Sequence, residues 1–284
     1  MMDLAKSADI LLRATARARA FHGKTFVIKL GGSAMEDPAA TAGTLDAIAA
    51  LHHLNLRLTL VHGGGKPIDR AMAAAGIEVK KVQGRRYTDE ATMAVVLRVL
   101  NEITHDLCEQ LKARGIRSSW EIPIKAERLL LPGNDLQPVD LGLVGQPVDI
   151  DFFKLQFLCE NNYLPVIASL GRQDGGYLNI NADTAASAIA GAMKAEACLF
   201  LTDTPGVLKD RHDPASLLPR LTVAECKQLI ADGVIDGGMI PKVEACFEAL
   251  DAGAGKAVIL DGRNPHSLLS LVLSDTLTGT EITQ

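Results

Sequence analysis

The sequence of 284 residues contains no Cys-x-x-Cys pair, and its five cysteines (Cys108, Cys159, Cys198, Cys226 and Cys246) are scattered and odd in number. That argues against a disulfide framework and a cysteine-built metal site, and it implies reduced thiols in a cytoplasm-like compartment. No apolar run approaches the roughly 20 residues that span a bilayer. Positive charge is not in excess either, with 29 Lys and Arg against 34 Asp and Glu and a net charge of −5. Such a chain has no general field for nucleic acid or an anionic membrane, so an anionic ligand must be captured locally. The opening residues lack a signal-peptide core. Arg13, Arg17 and Arg19 lean toward a transit peptide and Asp3 and Asp9 against it, and the expectation is a cytoplasmic protein. Two familiar nucleotide signatures are also missing. Gly65-Lys66-Pro67 has neither the upstream glycine nor the hydroxyl residue of a Walker loop, and Gly63-Gly64-Gly65 is not followed by the spacing of the dinucleotide fingerprint.

What is present is 48% hydrophobic and 22% charged sequence, enough for one large domain or two lobes around a sizeable core. Residues 4–20 place Leu4, Ala8, Leu11 and Leu12 on one helical face, to be covered by the domain's own body or by a partner subunit. Short β-branched runs then alternate with alanine-rich helical stretches, the pattern of an α/β protein with a largely parallel sheet. Strands are expected at 25–30, 57–61, 164–169, 197–202 and 256–260, and helices at 39–54, 67–75, 89–113, 182–193, 223–232 and 242–252. Residues 78–88 and 117–146 suit hairpin or irregular structure. A lobe boundary falls near residue 185, after an N-terminal helix over 1–22, giving units of 23–185 and 186–284.

Glycine turns end two of the apolar runs, Gly31-Gly32-Ser33 and Gly63-Gly64-Gly65, and a third lies at Gly237-Gly238. Ligands of open α/β sheets sit beyond the carboxyl ends of strands, where glycines let backbone N–H groups approach anionic oxygens. Lys29 precedes the first turn, inside a run that should be apolar, and Lys242 follows the third at the start of a helix. Two lysines and a helix N-terminus suffice for the positioning and neutralisation that phosphoryl transfer needs. Each lysine taken singly suits a solvated surface charge. Asp183 enters an alanine-rich helix, where it can cap the N-terminus or orient a cation. Arg86 sits in hairpin-like sequence and can make a bidentate carboxylate contact, although one of the adjacent pair Arg85-Arg86 is expected to be solvated.

Together, "FVIKLGGSAM", "LVHGGGKPI", "GRRYTDEATMAVV", "NINADTAASAIAGAMKAE", "LFLTDTPGVL", "GGMIPKVEACFEAL" and "DGRNPHSLL", in this order from about Phe26 to Thr280, closely resemble the acetylglutamate kinases of the amino acid kinase family. The resemblance implies a three-layer α/β/α sandwich with a mostly parallel open central sheet. It also implies an N-terminal lobe for the amino acid, a C-terminal lobe for ATP, and phosphorylation of the side-chain carboxylate of N-acetyl-L-glutamate in arginine biosynthesis. Carried over by position, Lys29 and Lys242 stabilise the transition state from two sides and Asp183 holds both lysines. Gly64 and Gly65 turn at the substrate, and Arg86 and Asn179 grip its α-carboxylate end. Gly31 and Gly32 lie under the phosphates, and Thr202, Asp203, Gly206 and Gly238 line the nucleotide site. Mg²⁺ arrives bound to ATP, without a dedicated protein site.

The N-terminal helix resembles the one that interlaces dimers into hexameric rings in arginine-inhibited members, which implies a homo-oligomer, dimer or hexamer. Departures fall on the effector segment. Leu271 stands where a glutamate would pair with a guanidinium, and Leu277 where a glycine is usual, so weak or absent arginine inhibition is expected. Two alternatives remain at this level: a kinase of the same family acting on an aminoadipate derivative, aspartate or glutamate, and a non-catalytic amino-acid sensor. Retention of Lys29, Lys242 and Asp183 argues against the sensor.

Overall fold

The structure, a computed structural model, describes residues 4–31, 35–132, 138–264, 266–273 and 278–284. In chain order the elements are α1 (Leu4–Ala20), β1 (Thr25–Leu30), α2 (Pro38–His53), β2 (Arg57–His62), α3 (Gly65–Ala74), β3 (Lys81–Val82), β4 (Arg85–Arg86), α4 (Glu90–Ala113), β5 (Ser118–Glu121), β6 (Ile124–Leu131), β7 (Val139–Ile150) and α5 (Phe152–Glu160). They continue with β8 (Leu164–Ala168), β9 (Leu170–Gln173), β10 (Gly176–Ile180), α6 (Ala182–Ala192), β11 (Ala197–Thr202), β12 (Arg220–Thr222), α7 (Val223–Ala231), α8 (Ile240–Asp251), β13 (Ala257–Asp261), α9 (Ser270–Leu273) and β14 (Gly279–Thr283).

Eight strands form one open sheet in the order β12-β14-β13-β11-β1-β2-β8-β5. All neighbours run parallel except β13 and β14, so β12 and β14 oppose the other six. The inner strands are covered on both faces, which is why their sequences are near-continuous apolar runs. Alternation along β1 sorts its side chains. Phe26, Ile28 and Leu30 join Leu45, Ile48, Leu107 and Leu111 in the layer under α2 and α4, while Val27 faces the layer of α5, α6, α7 and α8. Lys29 has the parity of Val27 and therefore rises toward α6 at the carboxyl end of the strand. Its neighbours there are β2, next in sequence, and β11, which arrives late in the chain, so β1 stands where the strand order reverses.

Helices α6 and α8 meet along a seam of small side chains. A Cβ on Gly191 would lie 2.4 Å from Ala252 Cβ and 2.5 Å from Ala252 O, and Ser187 Oγ is 3.0 Å from both Asp183 O and Ala245 O. The carboxylate-bearing helix and the lysine-bearing helix are thereby packed backbone to backbone.

Residues 117–146, expected to be hairpin or irregular, hold β5, β6 and much of β7, and β6 and β7 form the antiparallel pair of such a hairpin. The last two pair with β9 and β10 in a small closed sheet ordered β10-β7-β6-β9. Its β signal is weak because one face is open, exposing Lys125, Glu127 and Arg128, and because Gly142 and Gly145 interrupt the apolar positions of β7. The expected hairpin at 78–88 is present as β3 and β4, turning through Gln83 (φ 48°) and Gly84 (φ 76°), the left-handed pair that a two-residue hairpin loop requires.

Candidate active site

Two clefts meet at the carboxyl end of β1. The first, about 360 Å³, is walled by the Gly63-Gly64-Gly65 turn, the β3–β4 hairpin, and the segment from Asn179 to Asp183. The second, about 90 Å³, is lined by Gly31, the end of β11 (Phe200–Asp203) and Lys242. Lys29 and Asp183 line both. Their side chains pair across the junction, Lys29 Nζ to Asp183 Oδ1 at 2.8 Å, with 13% and 27% of each exposed.

Asp183 is available for this because another residue does the capping. Asn181 Oδ1 accepts from the backbone N–H of Asp183 (2.8 Å) and of Thr184 (3.2 Å), satisfying the first turn of α6. Lys242 departs from expectation. Its ammonium lies 2.6 Å from Asp203 Oδ1, so the two lysines have separate carboxylate partners rather than sharing Asp183. The physical reason is placement: Asp203 directly follows β11 and meets the first turn of α8. That ammonium holds the Asp203 carboxyl below the usual range. Neither α3 nor α8 has a side-chain cap at its N-terminus, which leaves backbone donors open beside the clefts.

In the first cleft Arg86 is fixed from behind. Its Nη2 sits 2.5 Å from Asp69 Oδ1 and donates to Gly65 O at 3.2 Å, leaving the side chain 9% exposed. Asp69 Oδ1 is buried and accepts no aligned hydrogen bond, so this contact is an ion pair at an oblique angle. Asn179 Nδ2 donates to Thr88 Oγ1 at 3.1 Å, and the Thr88 hydroxyl donates to Arg86 O at 3.1 Å. Arg86 and Asn179, 93 residues apart in sequence by subtraction of their numbers, thus belong to one network. It depends on Gly142, whose φ is +73° and whose missing Cβ would fall 2.3 Å from Thr88 O.

Lys29, Lys242, Asp183, Gly64, Gly65, Arg86, Asn179, Gly31, Thr202 and Asp203 therefore line the joined clefts. Gly206 and Gly238 line neither: Gly206 is buried against Thr280 and Leu217, and Gly238 lies exposed in the turn before α8. Gly32 lies outside the described residues, as does Leu277 of the effector segment. Reasoning from sequence passed over Lys66, Lys81 and Arg85, which also line the first cleft. Lys66 pairs with Glu36. Lys81 and Arg85 have no ion-pair partner among the described residues. The cleft thus presents five cationic side chains and one carboxylate. The signal in the sequence was the hairpin itself: Lys81 pairs across it with Arg86, and Arg85 directly follows its two-residue turn. Among the described residues no helix is long and apolar enough to cross a membrane.

Comparison with known proteins bears on this geometry. Residues 24–261 match the model of the amino acid kinase family. The chain is 42% identical over 283 residues to the acetylglutamate kinase of Symbiobacterium thermophilum, covering 97% of each, and 38% identical over 296 residues to that of Methanocaldococcus jannaschii, covering 100% of this chain and 98% of the other. Among solved structures, N-acetylglutamate synthase from Neisseria gonorrhoeae superposes with a TM-score of 0.85 at 22% identity, over 98% of this chain and 63% of the synthase. Carbamate kinase from Giardia lamblia bound to AMP-PNP superposes at 0.65 and 18% identity, over 92% and 98%. At these identities the structures share the fold alone.

Proposed function

The chain belongs to the amino acid kinase family, and on that premise we propose that it is an ATP-dependent kinase that transfers the γ-phosphoryl group to the side-chain carboxylate of N-acetyl-L-glutamate, in arginine biosynthesis in the cytoplasm. The observation that carries the acceptor's class is the first cleft: five cations and one carboxylate, with no ion-pair contact at Lys81 or Arg85 among the described residues, next to the Lys29–Asp183 junction. That surplus suits a dicarboxylate.

In this reading Arg86 and Asn179 hold the α-carboxylate end, and the Gly64-Gly65 turn receives the reacting carboxylate. Gly31, Gly32, Thr202 and Asp203 belong to the nucleotide side, with Gly206 packed behind it and Gly238 in the turn before α8. Lys29 rises from the sheet and Lys242 from the first turn of α8, so their charges flank the junction from two elements. A carboxylate oxygen attacks the γ-phosphorus, the bond to the β-phosphate oxygen breaks, and charge spreads over the equatorial oxygens that the two ammoniums face. Asp183 keeps Lys29 aimed at the junction, and Asp203 holds Lys242 until phosphate oxygens compete for it. Asp183 and Asp203 are each engaged by a lysine, so Mg²⁺ would be held mainly by the phosphates of ATP, where it would supply further neutralisation. Residues 23–185 supply the acceptor side and 186–284 most of the nucleotide side. Exposed Leu4, Ile10, Leu11 and Leu12 on α1 support homo-oligomer formation through that helix, which light scattering with and without residues 1–22 would test.

The deciding experiment is an ADP-release assay across N-acetylglutamate, N-acetylaminoadipate, glutamate and aspartate. N-acetylglutamate should give the highest kcat/KM. Best turnover with free glutamate or aspartate would remove this assignment.

A further inference from the structure

Thr88 follows the β3–β4 hairpin and has no exposed surface. Its backbone is clamped by β7 on either side of Gly142: the Thr88 N–H donates to Leu141 O at 3.0 Å, and the Leu143 N–H donates to Thr88 O at 2.6 Å. Its hydroxyl lies 3.1 Å from Arg86 O and 3.1 Å from the Asn179 amide. One hydroxyl proton serves these two contacts, and the hairpin directs it. The Tyr87 N–H donates to Lys80 O at 2.9 Å, so Lys80 and Tyr87 are a hydrogen-bonded pair and the next pair, Lys81 and Arg86, is a non-bonded one. The Arg86 carbonyl therefore faces away from the hairpin, and among the described residues its donor is the Thr88 hydroxyl. With its proton on Arg86 O, Thr88 Oγ1 is left as an acceptor, so the Asn179 amide must meet it with Nδ2. Turned over, Oδ1 would face a hydroxyl whose proton is already committed, and one of two oxygens would go unpaired.

Asn179 is held on β10 between β7 and β9, and it lines the first cleft. With Nδ2 on Thr88, its Oδ1 has no protein donor among the described residues. Nor is it a buried unpaired atom, since Asp69 Oδ1 is the one such side-chain atom among them. It therefore opens on the cleft, an acceptor among five cationic side chains. That set suits an anionic ligand carrying a neutral N–H. A free α-ammonium would add positive charge there, with only Asp183, already paired with Lys29, to offset it. An acylated nitrogen keeps the donor and loses the charge.

We propose that Thr88 is a positioning residue that fixes the Asn179 amide with Oδ1 toward the first cleft, where it accepts the N–H of an acylated α-amino group. The role rests on the acceptor proposed above; the orientation of the amide does not. The contact forms with bound substrate before any chemistry, so its effect falls on binding.

Calorimetric binding to the full chain, without nucleotide, tests this apart from turnover. The probes are N-acetyl-L-glutamate and (S)-2-acetoxyglutarate, in which an ester oxygen replaces the N–H. The ester should bind wild-type protein about 10- to 100-fold more weakly, because its oxygen leaves Asn179 Oδ1 unpaired. In Thr88→Val the amide is free to turn and the gap should shrink to about threefold or less, whereas Thr88→Ser keeps the hydroxyl and should keep the gap. A wild-type gap within about threefold, a full gap in folded Thr88→Val, or binding of neither probe overturns the proposal. Neutron diffraction from perdeuterated crystals reads the amide directly, whether or not a variant folds. Deuterons of Nδ2 should lie toward Thr88, and Oδ1 in that place overturns the proposal as well. If N-acetylglutamate binds with the expected gap but is not phosphorylated, the activity assignment is at fault. If it is phosphorylated and the ester binds equally well, the role of Thr88 and Asn179 Oδ1 alone fails.

Discussion

Replacing Lys29 by alanine removes a cation from the junction of the two clefts and leaves Asp183 without its partner at 2.8 Å. Two costs follow, and they can be measured apart. Breaking a fully buried ion pair costs about 3–5 kcal/mol. With 13% and 27% of the side chains exposed, water can reach the orphaned carboxylate, and about 1–2 kcal/mol of stability is expected to be lost. At about 2–4 °C per kcal/mol for a protein approaching this size, the melting temperature should fall by a few degrees. The kinetic cost is larger. An electrostatic donor removed from a mostly water-excluded site costs about 3–4 kcal/mol of transition-state stabilisation, which slows turnover by a factor of about 10²–10³ with a modest change in substrate KM. Coupled ADP-release kinetics and thermal unfolding on the same preparations separate the two. The double variant Lys29→Ala, Asp183→Ala should regain part of the stability, since no lone charge remains, and none of the activity. Turnover within about tenfold of wild type in folded Lys29→Ala would refute the two-lysine mechanism.

Other outcomes follow from neighbouring features. Gly142→Ala puts a Cβ 2.3 Å from Thr88 O at a φ of +73°; a stability loss of about 2–4 kcal/mol in denaturant titrations and a raised acceptor KM are expected, because Thr88 carries Asn179. His62 is neutral when folded, with a pKa near 4 against about 6.5 when unfolded. The unfolded chain therefore binds more protons below about pH 6.5, and His62 stabilises fully above that pH. Its contribution should decline by about 2 kcal/mol by about pH 5, and His62→Asn should flatten the slope. His52, also lowered by burial, acts with the same sign. Leu271 is buried with Leu268 and Val272 beneath α1, so arginine should inhibit weakly or not at all; half-inhibition at submillimolar arginine would contradict this.

Much of this was legible in the sequence. Strands β1, β2, β8, β11 and β13 announce themselves because burial on both faces forces unbroken apolar runs, and Lys29 is conspicuous because it interrupts one. The small sheet of β6, β7, β9 and β10 was legible only as far as a hairpin over 117–146: Lys125, Glu127 and Arg128 lie exposed along β6, Gly142 and Gly145 break the apolar positions of β7, and closure with β9 and β10 has no local signature. The cationic wall of the first cleft was half legible, Arg86 through its motif and Lys81 and Arg85 only once the hairpin folds, with Lys81 opposite Arg86. The partner of Lys242 could not be read at all. Asp203 and Lys242 are 39 residues apart, and which carboxylate the lysine meets depends on how the end of β11 faces the start of α8, a tertiary fact with no local signature. Gly206 shows the converse: its place in the motif suggests a ligand, and its contacts are with Thr280 and Leu217.

The seam between α6 and α8 bears on how force travels through the protein. Gly191 on Ala252 and the forked hydroxyl of Ser187 leave no slack between the helices, and close-packed interiors transmit displacement rather than absorb it. The carboxylate of Asp183 and the ammonium of Lys242 are thus mounted on one stiff lever. A larger residue at position 191 would push the two helices apart and disturb both charged groups at once.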